Sequence, residues 1–261
     1  MRTPLLDIVF RSEKRKNLLL YLLEGPKNIG DIKDALDVTS VGMLPQIKIL
    51  KEIGLIIHED DVYRLSPMGM VVSGQIQAPM KTFNVLESNY DYWLKRDLSG
   101  IPSDILDRLG EIGKYHLIEP DINHIFDPPV ELKRGLPTAQ VVRTLSSYFH
   151  PEYPSIFLGL AKKGVDIVMV ITESIFERLK DEFRPTLDEF MRFENTELFV
   201  CKDGIDLAAV VSTDRFMMFS LFNKDGNYDH YSVISYDMNS LNWGVDLFEH
   251  YKKRSRRVTT V

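Results

Sequence analysis

Apolar residues recur at helical spacing over residues 12–56, and then the period changes. Behind a start signal at Ser12-Glu13-Lys14-Arg15, Leu18, Leu19, Leu22 and Leu23 form an i, i+1, i+4, i+5 stripe that Gly25-Pro26 ends. Ile29, Ile32 and Leu36 mark a second, shorter helix that stops near Asp37-Val38. Thr39 or Ser40 can cap a third, in which Met43, Ile47 and Leu50 fall on one face and Gly54 closes the end. Leu55-Ile56-Ile57, an acidic turn at His58-Glu59-Asp60-Asp61, and the alternating Val62-Tyr63-Arg64-Leu65 then predict a β-hairpin. Two helices joined by a tight turn and followed by a hairpin are the pattern of a winged helix-turn-helix.

Beyond the hairpin, Val71, Val72, Ile76, Phe83, Leu86, Tyr90 and Trp93 supply packing for a helix or two over residues 66–95. Ile101 to Gly110 reads as a short helix and Tyr115–Glu119 as a short strand. Val141–Phe149 and Tyr153–Lys163 read as helices around His150-Pro151. Val165–Ile171, β-branched and apolar after Gly164, reads as a buried strand. Ser174–Phe183 and Thr186–Phe193 look helical; Glu197–Cys201, Leu207–Ser212, Phe216–Phe222 and Tyr231–Ser235 look like strands. Asp225-Gly226 is a hairpin-turn signal, and Leu241–Tyr251 is a last helix. The fold class expected is α+β: a winged helix-turn-helix (1–66), a helical linker or dimerisation segment (67–99), and an α/β domain with a mixed sheet (100–261).

Charge changes this picture by being uneven. The whole chain of 261 residues carries a net charge of −6. Residues 1–80 hold ten Lys/Arg and ten Asp/Glu, residues 81–251 hold seventeen and twenty-eight, and Lys252, Lys253, Arg254, Arg256 and Arg257 make the last stretch +5. A neutral head precedes an acidic body and a basic tail, which is either a basic patch or a disordered solubilising end. No run approaches the roughly 18 apolar residues of a membrane helix, and the apolar start is too short for a signal peptide. A single cysteine, Cys201, cannot form an intrachain disulfide, so a reducing cytoplasm is expected.

The segment from Leu36 to Ile56 resembles, without a gap, the recognition-helix segment of ArsR-like winged-helix regulators, with Leu36, Val38, Ile47, Leu50, Gly54, Leu55 and Ile56 at that family's core and turn positions. Pro45 departs from it, standing where a polar residue is usual and removing a backbone donor. By helical phase, the face opposite Met43, Ile47 and Leu50 presents Ser40, Gly42, Gln46, Lys48 and Lys51. Gln46 suits a bidentate adenine contact, and Ser40, Lys48 and Lys51 suit base or phosphate oxygens. His58, Tyr63 and Arg64 in the wing complete the expected DNA-binding set. Double-stranded DNA and a second copy of the chain are the expected partners, because a neutral head gains phosphate contacts by doubling.

Further on, His150-Pro151-Glu152-Tyr153-Pro154, Thr213-Asp214-Arg215-Phe216, Leu221-Phe222 with Asp225-Gly226-Asn227-Tyr228-Asp229, and Asn242 to Tyr251 are similar, in order, to the effector domain of archaeal methanogenesis-regulatory proteins. Leu44-Pro45-Gln46-Ile47-Lys48 is similar to that family's helix too, which accounts for Pro45. The resemblance implies a cytoplasmic transcription regulator whose effector domain has a phospholipase-D-like sensor fold. Phospholipase D chemistry requires H-x-K-x-x-x-x-D, normally twice. Only His250-Tyr251-Lys252 begins it, and Arg257 stands in place of the Asp. No catalytic residue is therefore assigned. P-loop, G-x-G-x-x-G and G-x-S-x-G motifs are absent, and no cofactor is expected. Neither Cys201 alone nor His116 with Glu119, Asp121 and His124 has specific metal-ligand spacing, so no metal is expected either. For a small-molecule effector the candidates are His150, Tyr153, Asp214, Arg215 and Tyr228, with Arg215 a fork for carboxylate or phosphate. Other readings are a protein-interaction module tethered to DNA without a small-molecule effector, and an enzyme with a DNA-binding appendage.

Overall fold

The computed structural model describes residues 4–121, 123–124 and 127–259. The chain divides into two compact units, Met1–Met80 and Lys81–Val261. The stretch 67–99 is thus shared between them, with Ile76 in the core of the first and Val85, Tyr92 and Trp93 in that of the second.

In the first unit α1 (Leu5–Phe10) is a short element the apolar spacing does not announce. It is followed by α2 (Glu13–Tyr21), α3 (Ile29–Leu36) and α4 (Ser40–Glu52). The joints are chemically explicit. Ser12 caps α2, accepting from the Arg15 amide. Asn28 and Asp31 form a reciprocal capping box on α3. Asp37 ends α3 at φ +49°, and Thr39 caps α4 by accepting from the Gly42 amide. The strands β1 (Ile56–Glu59) and β2 (Val62–Leu65) pair antiparallel, with Asp60 and Asp61 both at positive φ, as a primed hairpin turn requires. This is the element order of a winged helix-turn-helix. Leu18, Leu19, Ile32, Met43, Leu50 and Leu55 form its fully buried core. α5 (Pro67–Ser88) leaves it, with Pro79 inside the helix just before the division.

The second unit begins with α6 (Tyr90–Leu94), α7 (Ser103–Leu106) and a 3-10 turn over Leu109–Ile112. Its sheet has eight strands among the described residues: β3 (Tyr115–Ile118), β4 (Val141–Ser146), β5 (Asp166–Thr172), β6 (Thr196–Cys201), β7 (Ala209–Thr213), β8 (Met217–Ser220), β9 (Ser232–Ser235) and β10 (Ser255–Arg257), in spatial order β10-β6-β5-β4-β7-β8-β9-β3. β4, β5 and β6 are mutually parallel and the other pairings antiparallel, so the sheet is mixed. α8 (Val130–Gly135), α9 (Tyr153–Lys162), α10 (Glu173–Glu182) and α11 (Arg184–Phe190) pack one face. α12 (Met238–Lys253) covers the other with Leu241, Trp243, Leu247, Phe248 and Tyr251.

Three expectations are corrected. Val141–Phe149 is not a helix: Val141–Ser146 is β4, in the middle of the sheet. With helices on both faces, Thr144 and Ser146 are buried along with Val142 and Leu145, which erases the period-two signal. Asp225-Gly226 does turn, the Gly226 amide donating to the Asn223 carbonyl, but at the tip of the long loop between β8 and β9. The basic tail is neither a disordered end nor a free basic patch. Residues 255–257 form β10 beside β6, where Arg256 pairs with Glu173 and Arg257 with Glu197, both at 2.9 Å. No helix among the described residues is long and apolar enough to cross a membrane.

Candidate functional site

On α4 the buried face is the one the periodicity marks: Met43, Ile47 and Leu50. The opposite face differs from the expected set. Lys48 and Lys51 are exposed, with Lys48 Nζ 3.9 Å from Glu52. Ser40 and Gly42 are half-buried, and a side chain at 42 would meet Lys14 Nζ at 2.7 Å. Gln46 turns toward α2, its Oε1 accepting from Arg15 Nη1 at 2.7 Å and from Ser12 Oγ at 3.4 Å. The residues that do stand out are Val41, 85% exposed, and Leu44, 45% exposed, beside exposed Pro45. They carry no polar group and so gave no signal as contact residues.

In the wing, His58 is exposed and Arg64 pairs with Glu59 at 2.6 Å. Tyr63 is only 8% exposed and belongs to the core, so its expected place on the surface is corrected. The alternation along β2 puts Tyr63 and Leu65 inward, and the Tyr63 ring stacks on His58 at 4.1 Å.

In the second unit the expected effector residues part company. Asp214 and Arg215 are exposed in the β7–β8 turn, where Asp214 accepts from the Gln140 and Val141 amides and lies 3.5 Å from Arg215. Partial burial pushes the Asp214 carboxyl up, but these backbone donors and Arg215 hold it below the usual carboxylate range. Through these two amides Asp214 holds the start of β4. His150, Tyr153 and Tyr228 do converge, joined by Tyr148 and His230, which the sequence reading missed. Ring centroids are 4.8 Å apart for His150–Tyr153, 4.9 Å for Tyr148–Tyr228 and 4.5 Å for Tyr228–His230.

These rings line a cavity of about 420 Å³ whose wall also holds Lys133, Glu119 and Glu131. Tyr148, His150 and Tyr153 also border a small apolar pocket of about 60 Å³ reaching Ile175, Leu187 and Leu198. His150 Nδ1 accepts from the Glu152 amide at 3.1 Å, leaving Nε2 as the donor of the neutral ring. Burial pushes the Tyr153 and Tyr228 hydroxyls above their ordinary range, so both remain protonated donors. Burial, helped by His150 and opposed by Asp229, pushes His230 below its ordinary value. The arrangement offers hydrogen bonds beside flat aromatic faces.

Arg96, only 4% exposed, is a further residue the sequence did not flag. Its guanidinium grips Asp229 through two 2.6 Å bonds and lies over the rings of Tyr92 and Tyr231. Asp229 sits between Tyr228 and His230, so one loop serves both the cavity and this clamp. On the wall of the same cavity as the rings His124 Nδ1 pairs with Asp127 at 2.9 Å, and no metal-binding group of three His, Cys, Asp or Glu occurs among the described residues.

Among solved structures, that of TrmBL2, described as an archaeal chromatin protein with a novel mode of DNA binding, aligns over 94% of this chain and 94% of its own at 15% identity and a TM-score of 0.45. Nuc from Salmonella typhimurium, a phospholipase D family member, aligns over 56% of this chain and 100% of its own at 16% identity and a TM-score of 0.39. Methanogenesis regulatory protein FilR1 of Methanothrix harundinacea (strain 6Ac) is 25% identical over 252 residues, 95% of this chain, and the chain spans 56% of that protein's length. Residues 4–84 match the N-terminal domain of methanogenesis regulatory protein FilR1 and residues 125–254 match its middle domain. With both domains matched in order over most of its length, the chain belongs to the methanogenesis regulatory protein FilR1 family.

Proposed function

We propose that the chain is a cytoplasmic, sequence-specific DNA-binding transcription regulator that works as a homodimer under the control of a small molecule. The observation that carries the reading is the exposed face of α4, which has lysine as its only charged residue from Ser40 to Lys51 and stands ahead of a hairpin wing, in a family named for regulation. α4 enters the major groove, with Lys48 and Lys51 on phosphates and Ser40 and Gly42 close to the backbone, while His58 and Arg64 follow the strand beside it. Two copies present two such helices, whose spacing must match half-sites about 34 Å apart or a multiple of it.

The effector occupies the aromatic cavity, held by His150, Tyr153 and Tyr228, and favours one arrangement of the dimer over another. No chemical step is assigned to the unit: its one partial phospholipase D pattern, at His250 and Lys252, has Arg257 in place of the aspartate. Selection of duplexes from a random pool should enrich one palindromic site, with affinity falling steeply as salt rises. Retention that stays indifferent to sequence sinks the regulator reading. Thermal shift of the full chain against metabolite mixtures should find a stabiliser whose effect His150→Ala and Tyr228→Ala abolish. A stabiliser indifferent to both variants removes the cavity as its site.

A further inference from the structure

We propose that α4 identifies its DNA site through the 5-methyl groups of thymine, contacted by Val41 and Leu44, and not through a glutamine–adenine pair. The inference rests on the DNA-binding reading above. Val41 and Leu44 lie one turn apart on the most exposed edge of the helix, at 85% and 45% exposure, and Pro45 continues the edge. Neither side chain belongs to the core of the first unit, so its packing gives no reason for two large apolar residues there. A β-branched residue at this exposed helical position is also a poorer helix former than alanine.

Charge names the occupant. The stripe runs directly into exposed Lys48 and Lys51, and Lys14 Nζ lies over Gly42 on the same side. A surface of apolar centre and cationic border suits a major groove, where phosphates flank the bases and the thymine methyl is the apolar feature of the base edges. Gln46, the obvious base reader by residue type, is spoken for. Its Oε1 already takes Arg15 Nη1 and Ser12 Oγ, so an adenine would have to displace an internal charge-assisted bond. Gln46 is therefore a positioning residue that ties α4 to α2.

The test uses the full chain and a duplex selected from a random pool, remade with deoxyuridine for one thymidine at a time, which deletes only the methyl group. At the contacted positions affinity should fall about fourfold per methyl, as expected for one buried methyl-sized group. Val41→Ser and Leu44→Ser should lose that sensitivity while keeping the salt dependence of the parent, and Val41→Thr, which retains one methyl, should keep part of it. Gln46→Ala should leave the preferred sequence unchanged. A defined site at which every thymidine can be replaced without loss overturns the methyl contact and leaves DNA binding intact. A shift of base preference in Gln46→Ala overturns it in favour of the glutamine. If the serine variants keep the site but lose self-association, the stripe is a protein contact. Failure to retain any duplex removes both readings together.

Discussion

A backbone φ of +63° at His230 is a conformation that non-glycine residues adopt at a cost, and it is held where the ring faces Tyr148 and Tyr228. Because burial pushes this imidazole below its ordinary value, the unfolded chain takes up a proton before the folded one. Its contribution to stability is therefore fully present above the ordinary histidine range and declines as pH falls below about 6.5. Urea denaturation at stepwise lower pH should show that decline, and His230→Asn, which tolerates the left-handed backbone, should flatten it; an unchanged slope rules the residue out. Next to it, Asp229→Ala leaves Arg96 charged and buried without its carboxylate. The expected loss is about 3 kcal/mol, at the low end for a broken buried pair because Asp229 is partly exposed. Residue types named some partners here and hid others. His150, Tyr153 and Tyr228 could be picked out because polar aromatic residues advertise hydrogen bonds. Tyr148 and His230 stand just outside the motifs at 150–154 and 225–229 that held those three, and Arg96 meets Asp229 only through the fold.

Helices and strands differ in how plainly they were written. The caps Ser12, Asn28 and Thr39 are local chemistry, and each helix starts where its cap stands. Thr39→Ala should cost about 1 kcal/mol, read as a lower thermal midpoint for the first unit. β4 was illegible for the opposite reason. Val141, Val142, Leu145, Tyr148 and Phe149 mimic a helical stripe, and only the β-branched content of Val-Val-x-Thr argued against it. Its pairing with β5 and β7 is decided by residues far along the chain. The approach of α5 to the turn that follows α4 is equally non-local. A Cβ on Gly69 would fall 1.9 Å from the Leu55 carbonyl oxygen. Gly69→Ala should therefore destabilise the first unit by about 3 kcal/mol despite raising helix propensity, and a stabilised variant would show that the two backbones can part.

At the scale of the molecule, the two units have separate cores and separate charge: residues 1–80 are neutral, while the acidic surplus falls after them. The charge asymmetry was visible in sequence. The fate of the basic tail was not, because nothing local says that Arg256 will meet Glu173 at the start of α10 and Arg257 will meet Glu197 on β6. Their strand has a consequence for solubility. β6 would otherwise end the sheet with an open row of amides and carbonyls flanked by Leu198 and Val200, a template for any strand of a neighbouring molecule. β10 closes that row with three residues, Val258 fastens it by donating to the Leu198 carbonyl at 2.8 Å, and the new border is short and lined with guanidinium groups. A chain ended at Lys253 should form β-rich aggregates that bind thioflavin T, whereas Arg256→Ala should remain dispersed because its backbone still covers the edge. The backbone of β10, more than its arginine side chains, is the guard against fibre growth.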